Sequence, residues 1–468
     1  MKSNGIQGLR TLPKRLLLLS PEPDEILHSS PLGYSLPNLG LIHLRGFLQS
    51  KIPDIDIKIL DGNLVNESVF LDEINNADST IIGISMNISN VRNGVKYINI
   101  AHQNKGIELI VLGGIHPALF PEEFVRKYHT LVVIGDGEMP LYKLLTGHPI
   151  RQIEGVAFLD ESGKFVLNPP NGFSIDYIPY AFRLKTEMEA SKKRFLEFSK
   201  DSRQLFHMPA HVLSHKGCYY RIKKGGCSFC SRGPYEKLIL RNPENFWSEV
   251  RYLNENFGCD AIIDVGENCF FSLLKSLLKH RPEGKIPFFV FITSPEDIYK
   301  NPEMIDVLKE LNCIQVKLGV ESGDDNFLSD IKKRNRRKST IEAIKLLKEA
   351  GIYASIGIMI GLPNQDWDDL QHTIDFVEEI VKIGNILEVR CSIFTPLPGS
   401  PVYSLIRDEI RSKHKDEELI TVNQLQEFWV PRYTKLKMDQ LIRVQEDLET
   451  LFRPKTKVTA KPFSMGFG

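Results

Sequence analysis

The chain of 468 residues balances 59 lysines and arginines against 59 aspartates and glutamates, so its formal net charge is zero. That balance provides no overall basic field for nucleic acid, and the length allows two or three domains. The longest apolar runs, residues 16–19 and 352–360, are far too short to span a bilayer, and the first ten residues lack the apolar core of a signal peptide. We therefore expect a cytoplasmic protein that binds neither nucleic acid nor membrane.

The seven cysteines are an odd number, and none precedes Cys218. A secreted disulfide framework uses an even number in a shorter chain, whereas a reducing compartment leaves thiolates free to bind metal. Four cysteines are isolated and are predicted to be core or loop thiols, namely Cys259, Cys269, Cys313 and Cys391.

The first part of the chain alternates continuous apolar strands with amphipathic helices. Strands are predicted at residues 15–20, 55–60, 80–85, 109–112 and 131–134. Strands that are apolar along their whole length belong to parallel sheets covered on both faces. The pattern predicts a doubly wound, flavodoxin-like domain over residues 1–146.

Polar and glycine-rich loops follow three of these strands, where such sheets bind ligands. A single glycine pair is explained by a tight turn, but three such loops together indicate a binding crevice. The candidate residues are Ser85, Asn87, Gly113, Gly114, His116, Gly135, Gly137 and Glu138.

Residues 147–205 have short alternating strands and a Pro/Gly cluster, which predict a hairpin and a linker. Within this segment, residues 185–200 have a helical composition. We expect a helix that either packs between the domains or is a solvated connector. A second alternation then gives six strands over about 185 residues, at 210–214, 261–265, 288–292, 314–318, 353–360 and 387–394. It predicts a partial (β/α)6 TIM-like barrel over residues 206–405, with a helical extension over 406–468. In such barrels chemistry lies at the carboxyl ends of the strands.

The first barrel strand leads into a stretch that places Cys218, Cys227 and Cys230 within thirteen residues. Three thiolates can hold three irons of a 4Fe–4S cluster and leave the fourth iron open. A structural zinc ion with His215 as fourth ligand is the alternative, and this stretch alone leaves both open. Later strand ends carry Gly266-Glu267, Glu321-Ser322 and residues 358–361, each of which could singly be a turn or a helix cap.

Taken together, these motifs over residues 207–405 resemble the radical S-adenosylmethionine (SAM) superfamily. The resemblance implies that Cys218, Cys227 and Cys230 hold a 4Fe–4S cluster whose open iron chelates SAM. It places Glu267 at the methionine amino group and one of two arginines at the carboxylate. The implied SAM-binding residues are Phe229, Gly266, Glu267, Glu321, Ser322, Arg336, Arg337, Ile358 and Gly361. The chain departs from the common Cys-x-x-x-Cys-x-x-Cys spacing, since eight residues separate Cys218 from Cys227.

The first domain, from residue 31 to Glu138, resembles the cobalamin-binding domain that precedes the barrel in one class of radical SAM enzymes. Cobalamin is thereby implied at the strand-end loops named above. The Asp-x-His-x-x-Gly sequence that supplies a cobalt ligand in other cobalamin proteins is absent, as it often is in this class.

These resemblances imply an enzyme that reductively cleaves SAM to a 5′-deoxyadenosyl radical, with electrons from a donor such as flavodoxin or ferredoxin. Methylation of an unactivated carbon in a small-molecule or peptide substrate is the leading expectation. Three alternatives stay open. The first is a cyclase or rearrangement enzyme without methyl transfer, and the second is a non-catalytic, zinc-stabilised binding protein. The third, methylthiolation, needs cysteines in the first domain, which has none.

Overall fold

The structure, a computed structural model, describes residues 15–24, 35–179, 183–199, 205–233 and 237–450. Residues 31–34, where the resemblance of the first domain begins, lie outside these ranges. Among the described residues, no helix is both long and apolar enough to cross a membrane.

The first sheet contains β1 Arg15–Ser20, β2 Asp56–Asp61, β3 Thr80–Ser85, β4 Ile107–Gly113, β5 Leu131–Val133, β6 Val156–Leu159 and β7 Phe165–Leu167. Its first five strands are parallel and lie in the order β2-β1-β3-β4-β5. That is the strand order of flavodoxin-like doubly wound folds, so the predicted class of this domain is confirmed.

Six helices accompany this sheet: α1 Leu39–Lys51, α2 Glu67–Asn75, α3 Val91–Ala101, α4 Ile115–Leu119, α5 Pro121–Tyr128 and α6 Glu138–Leu145. Alternate residues of β1 enter two separate hydrophobic cores, Leu16 and Leu18 in one and Leu17 and Leu19 in the other. Both faces of the strand are therefore buried, which explains why its sequence is apolar without alternation.

The segment after the first domain contributes both a hairpin and a helix. Strand β6 pairs antiparallel with β5 and with β7, so the hairpin extends the first sheet. The helix, α7 Lys185–Phe198, packs between the domains on one face. Its Glu187 accepts two hydrogen bonds from Arg45 of α1, at 2.6 and 2.7 Å, and its Phe195 packs against barrel residues.

The second sheet is the barrel, formed by β8 Pro209–Val212, β11 Ala261–Asp264, β12 Phe288–Thr293, β13 Cys313–Glu321, β14 Tyr353–Ile360 and β15 Ile386–Ile393. These six strands are parallel and neighbour one another in that order. Its helices are α8 Tyr219–Lys224, α9 Pro243–Phe257, α10 Phe271–Lys279, α11 Pro295–Lys300, α12 Met304–Glu310, α13 Asp325–Asp330, α14 Arg337–Glu349 and α15 Trp367–Ile383. The predicted six-strand open barrel is confirmed.

Two further short strands, β9 His215–Lys216 and β10 Ile239–Leu240, pair antiparallel beside the first barrel strand. Three helices end the described chain: α16 Pro401–Lys413, α17 Val422–Tyr433 and α18 Met438–Thr450. The side chain of Gln445 in α18 donates to the Cys391 carbonyl at 2.6 Å, so this helix covers the edge strand β15.

Barrel side chains alternate between a helix-covered outer face and the interior. Outward residues such as Phe289 and Val316 enter the largest hydrophobic core. Inward residues Ile263 and Val290 pack instead with Phe195 of α7. Helix α7 therefore covers part of the barrel interior. Residues nearer the carboxyl ends of the later strands are not covered by this helix and can form a site.

Candidate functional site

The cysteine loop is shaped by glycines and by a short helix. Gly217, Gly225 and Gly226 have φ angles of 86°, 82° and 71°, a left-handed conformation that favours glycine. At Gly217 an added Cβ would lie 2.3 Å from the Lys237 carbonyl oxygen, so no other residue fits there. The widened gap after Cys218 is occupied by α8, so the additional residues form one helical turn.

The three thiols of this loop are half-buried and unbridged. Burial raises the pKa of the Cys227 thiol to about 11, and Cys230 and Cys218 act in the same direction, which shows that the sulfurs are neighbours. A single zinc ion would hold thiolates within about 4 Å of one another. Among the described residues, the one group with three ligand atoms inside 4.8 Å is instead His215, Asp264 and Cys269. The wider thiol set fits a cluster of several irons.

His215 is fully buried and belongs to a separate hydrogen-bond network. Its Nδ1 pairs with Ser214 Oγ at 2.9 Å, and that hydroxyl donates to Asp264 at 2.5 Å. Its ring lies against Gly266, where an added Cβ would come 2.2 Å from the imidazole. The ring of His215 thus faces the end of β11, which does not support the alternative of a zinc ion bound by the three cysteines with His215 as fourth ligand.

Glu267 follows at that strand end and offers an unused carboxylate oxygen. Its Oε1 lies 3.5 Å from an Arg232 nitrogen. Its Oε2 is buried and, within the described residues, accepts no hydrogen bond. Leaving such an atom unsatisfied costs about 1–3 kcal/mol, which an incoming ammonium would relieve. The structure thus fits the predicted contact of Glu267 with the amino group of SAM.

Glu321 ends β13 in the left-handed region, with φ of 70°. It leans over Gly319, where an added Cβ would lie 2.6 Å from its carboxylate, and it pairs with Lys333 at 2.7 Å. The Lys333 ammonium also lies 5.9 Å from the centre of the Phe229 ring, between the last two cysteines. Burial alone would lower the pKa of Lys333, but Glu321 and the Cys227 thiol outweigh it and raise that pKa.

Lys333 is the residue of the basic run that the structure brings to Glu321 and Phe229, whereas the two predicted arginines have other partners. Arg336 donates to the carbonyls of Lys333 and Asn335, each at 2.8 Å. Arg337 pairs with Glu379 on α15. Both predicted arginines therefore brace the loop against its own backbone and a helix. Position in the run could not reveal this, because only the turn after α13 decides which side chain points at the thiols.

Other predicted SAM contacts are used for packing. Ser322 is buried and its hydroxyl lies 3.2 Å from that of Thr373 on α15. Ile358 is on the helix-covered face of β14. The Gly361 amide donates to Gln365 at 2.7 Å, and its carbonyl accepts from Trp429 at 2.9 Å. Contacts of these residues with SAM stay predictions.

The predicted crevice of the first domain is open at its glycines. Nothing lies within 4 Å of a Cβ added at Gly113, and at Gly135 the nearest atom, from Pro170, is 3.7 Å away. Gly114 has φ of 88° and would place a Cβ 2.3 Å from the Met86 carbonyl, so it is required by the turn. Such an uncrowded strand-end surface fits a large, flat corrin ring.

The remaining loop residues of the first domain take part in contacts within the protein. Burial raises the pKa of the Glu138 carboxyl at the start of α6, and Gly137 packs on Leu44. Asn87 accepts from the Ser89 amide at 2.7 Å, and Ser85 pairs with Gly113 in the sheet. These contacts shape the loops, and direct contacts with cobalamin stay predictions.

His116 was predicted among the cobalamin contacts, but it is buried inside the protein. It is 1% exposed, and its Nε2 lies 2.7 Å from the Glu418 carbonyl oxygen. Burial lowers the pKa of His116 to about 4, so the ring is neutral at pH 7. The side chain therefore fastens the C-terminal segment to the first domain, and its assignment to cobalamin is corrected.

The two strand-end regions touch each other. Lys216, just before the cysteine loop, pairs with Asp136 of the Gly135–Glu138 loop at 2.6 Å. At Gly399, after the last barrel strand, an added Cβ would lie 2.9 Å from Leu119 of α4. The crevice of the first domain thus adjoins the cysteine loop of the barrel.

Comparison with known proteins agrees with this arrangement. The radical SAM superfamily model matches residues 213–377, and the B12 binding domain model matches residues 30–145. The chain contains a radical SAM domain and a B12 binding domain. It is therefore an enzyme whose cofactors are a 4Fe–4S cluster, SAM and cobalamin.

Relatives and solved structures cover most of this radical SAM chain. An uncharacterized methyltransferase of Pyrococcus horikoshii is 25% identical over 83% of this chain and 82% of its own. The cytidylyl-2-hydroxyethylphosphonate methyltransferase of Streptomyces wedmorensis is 22% identical over 86% and 83%. The methyltransferase TsrM of Kitasatospora setae, solved with tryptophan and a SAM analogue, aligns with a TM-score of 0.64 at 17% identity over 85% and 76%. Cobalamin-dependent OxsB aligns with a TM-score of 0.66 at 16% identity, and this chain spans 61% of it.

Proposed function

We propose that this enzyme transfers a methyl group from SAM, by way of cobalamin, to an unactivated carbon of a small-molecule or peptide substrate. The contact between Lys216 and Asp136 carries the proposal, because it joins a strand-end loop of the B12 binding domain to the segment that leads into the cysteine loop. Methyl transfer needs the two cofactors to share one substrate. Relatives named as methyltransferases support the same reaction class.

When bound, the cluster, SAM and cobalamin supply the electron, the radical and the methyl group. Cys218, Cys227 and Cys230 would hold the cluster, and Glu267 would orient SAM by its amino group. Lys333 holds Glu321 in place and sets a positive charge beside the thiols. The chain itself positions the reactants and excludes water.

The test uses anaerobically reconstituted enzyme with cobalamin, a chemical reductant, SAM carrying a deuterated methyl group, and candidate substrates. We expect 5′-deoxyadenosine together with a product that gains three deuterons. Formation of 5′-deoxyadenosine without transfer of the label would overturn methylation and favour a cyclase or rearrangement enzyme. Methylthiolation is not supported, since no cysteine precedes Cys218.

A further inference from the structure

Two strands of the barrel place charged side chains in its interior. On β13, Val316 and Leu318 enter the helix-covered core, so Lys317 between them faces the interior. On β15, Val389 and Cys391 are in the same core, so Arg390 also faces inward. Strands β13 and β15 lie on either side of β14, so they are about 10 Å apart.

Strand register brings these side chains to adjoining levels. Lys317 is aligned with Ser355 of β14, which is aligned in turn with Glu388 of β15. Arg390 lies one level nearer the carboxyl ends, aligned with Gly357. Lys317 and Arg390 are close enough that the arginine, after burial, is the main cause lowering the pKa of Lys317 to about 8.

The charges at these levels do not cancel. Arg390 and Glu388 pair at 3.0 Å and are each about one-third exposed, which neutralises both. Among the described residues, Lys317 has neither a hydrogen bond nor an ion pair, although it is half-buried. His211 on β8 is close enough to Lys317 to be affected by its charge. His211 itself stays neutral, because burial lowers its pKa to about 3. Glu388 raises the pKa of Lys317 less than Arg390 lowers it, so one carboxylate faces two cations, and an anionic ligand would offset the cost of burying the ammonium.

The interior has room beside these cations. A Cβ added at Gly357 would meet a single neighbour, the Leu318 carbonyl oxygen, at 3.8 Å. Lys317 lies four residues before Glu321 on β13, or about 13 Å along the strand. A ligand held at Lys317 can therefore extend past Gly357 toward the thiols.

We propose that Lys317 and Arg390 form a subsite for an oxyanion of the substrate, either a carboxylate or a phosphate. The proposal rests on the proposed function, since it assigns the barrel interior to the methyl acceptor. Lys317 supplies a point charge, and the planar Arg390, held by Glu388, offers its remaining N–H donors. The substrate is thus an acidic molecule anchored by its anionic end.

The test measures binding of inorganic phosphate and, separately, of acetate to the reconstituted enzyme with SAM bound, by isothermal titration calorimetry. The variants are Lys317→Met, Lys317→Arg and Arg390→Gln. Lys345→Met is the control, since Lys345 pairs with Glu342 on the exposed surface of α14. We expect a dissociation constant at least tenfold higher in Lys317→Met and Arg390→Gln, and unchanged in Lys317→Arg and the control. The anion that binds wild type more tightly identifies the group.

The subsite would be overturned if each anion bound Lys317→Met and Arg390→Gln as tightly as it binds wild type. Iron content and circular dichroism establish that each variant is folded. Cleavage of SAM to 5′-deoxyadenosine by Lys317→Met, measured without substrate, reports on the proposed function separately. A variant that cleaves SAM normally but binds neither anion supports the subsite, whether or not methyl transfer is later found.

Discussion

The two strand-end regions of this enzyme prepare for their ligands in opposite ways. At the barrel site, the buried Oε2 of Glu267 accepts no hydrogen bond from any residue that the structure describes. At the crevice of the first domain, His116 is paired with a backbone carbonyl, and the surface is open where Gly113 and Gly135 remove bulk. The difference matches the ligands: a zwitterion such as SAM needs counter-charges, whereas a corrin ring needs surface. Changes of charge should therefore damage the barrel site more than the crevice.

The largest effect is expected at the cysteine loop. Cys227→Ser removes one of three thiolates that the cluster requires, so iron should fall from about four per chain to almost none. Iron and sulfide analysis after anaerobic reconstitution measures this. Cys313→Ser is the matched control, because that buried thiol lies 3.3 Å from the Gln315 carbonyl and a hydroxyl can make the same contact. Full cluster content in Cys227→Ser would contradict the assignment.

Glu267→Gln tests the barrel side of the comparison next. Replacing the carboxylate by an amide removes a charge-assisted hydrogen bond to the amino group of SAM, worth about 1.5–3 kcal/mol. The dissociation constant for SAM should rise about 10- to 100-fold by calorimetry. Glu283→Gln, at an exposed position, should leave it unchanged. Equal SAM affinity in both variants would show that Glu267 does not contact the ligand.

Lys333→Met and Arg337→Met separate the cation found in the structure from one that the sequence suggested. Lys333 neutralises Glu321 beside the thiols, so its loss should weaken SAM binding about tenfold and make the cluster harder to reduce. Arg337 braces α14 on α15, so its loss should change SAM affinity less than twofold. Calorimetry and a reductive titration followed by electron paramagnetic resonance measure both. A larger loss of SAM affinity in Arg337→Met than in Lys333→Met would support the predicted contact of Arg337 with SAM.

The sequence predicted those features of the fold and the site that depend on single residues or on neighbours in the chain. Continuous apolar strands and strand-end glycines specify both sheets, because burial pattern and backbone freedom belong to single residues. The choice of Lys333 over its neighbours depends on how the turn after α13 is aimed, which no pattern encodes. His116 was misassigned because its partner, the Glu418 carbonyl, lies 302 residues away. Lys317 escaped notice because one lysine in a strand gives no motif.

His116→Asn tests the crevice, where charge is expected to matter little. Cobalamin affinity and absorption should not change, because the ring is committed to the Glu418 carbonyl. Stability should change with pH instead. Burial lowers the pKa of folded His116 to about 4, whereas the unfolded chain titrates near 6.5. Between these values the unfolded state binds more protons, so wild type loses stability as the pH falls, by about 3 kcal/mol from this residue.

That loss can be measured by chemical denaturation at pH 7 and pH 5. The decrease in the free energy of unfolding between the two should be smaller in His116→Asn than in wild type, even if the variant is less stable throughout. His43, also buried with a pKa lowered to about 3, contributes equally to both proteins and cancels. The same pH dependence of stability in the variant and in wild type, or a changed cobalamin spectrum, would indicate that His116 contacts cobalamin.

The smallest effect is expected where the two regions meet. Lys216→Met breaks the pair with Asp136, whose side chains are about one-quarter exposed, so the cost in stability is about 1 kcal/mol or less. Iron content, SAM cleavage and cobalamin binding should each stay near wild type, because each depends on one region alone. Methyl transfer needs both regions aligned, so the yield of labelled product per 5′-deoxyadenosine should fall severalfold. An unchanged ratio would mean that the domains are aligned without this contact, through Leu119 and the barrel end at Gly399.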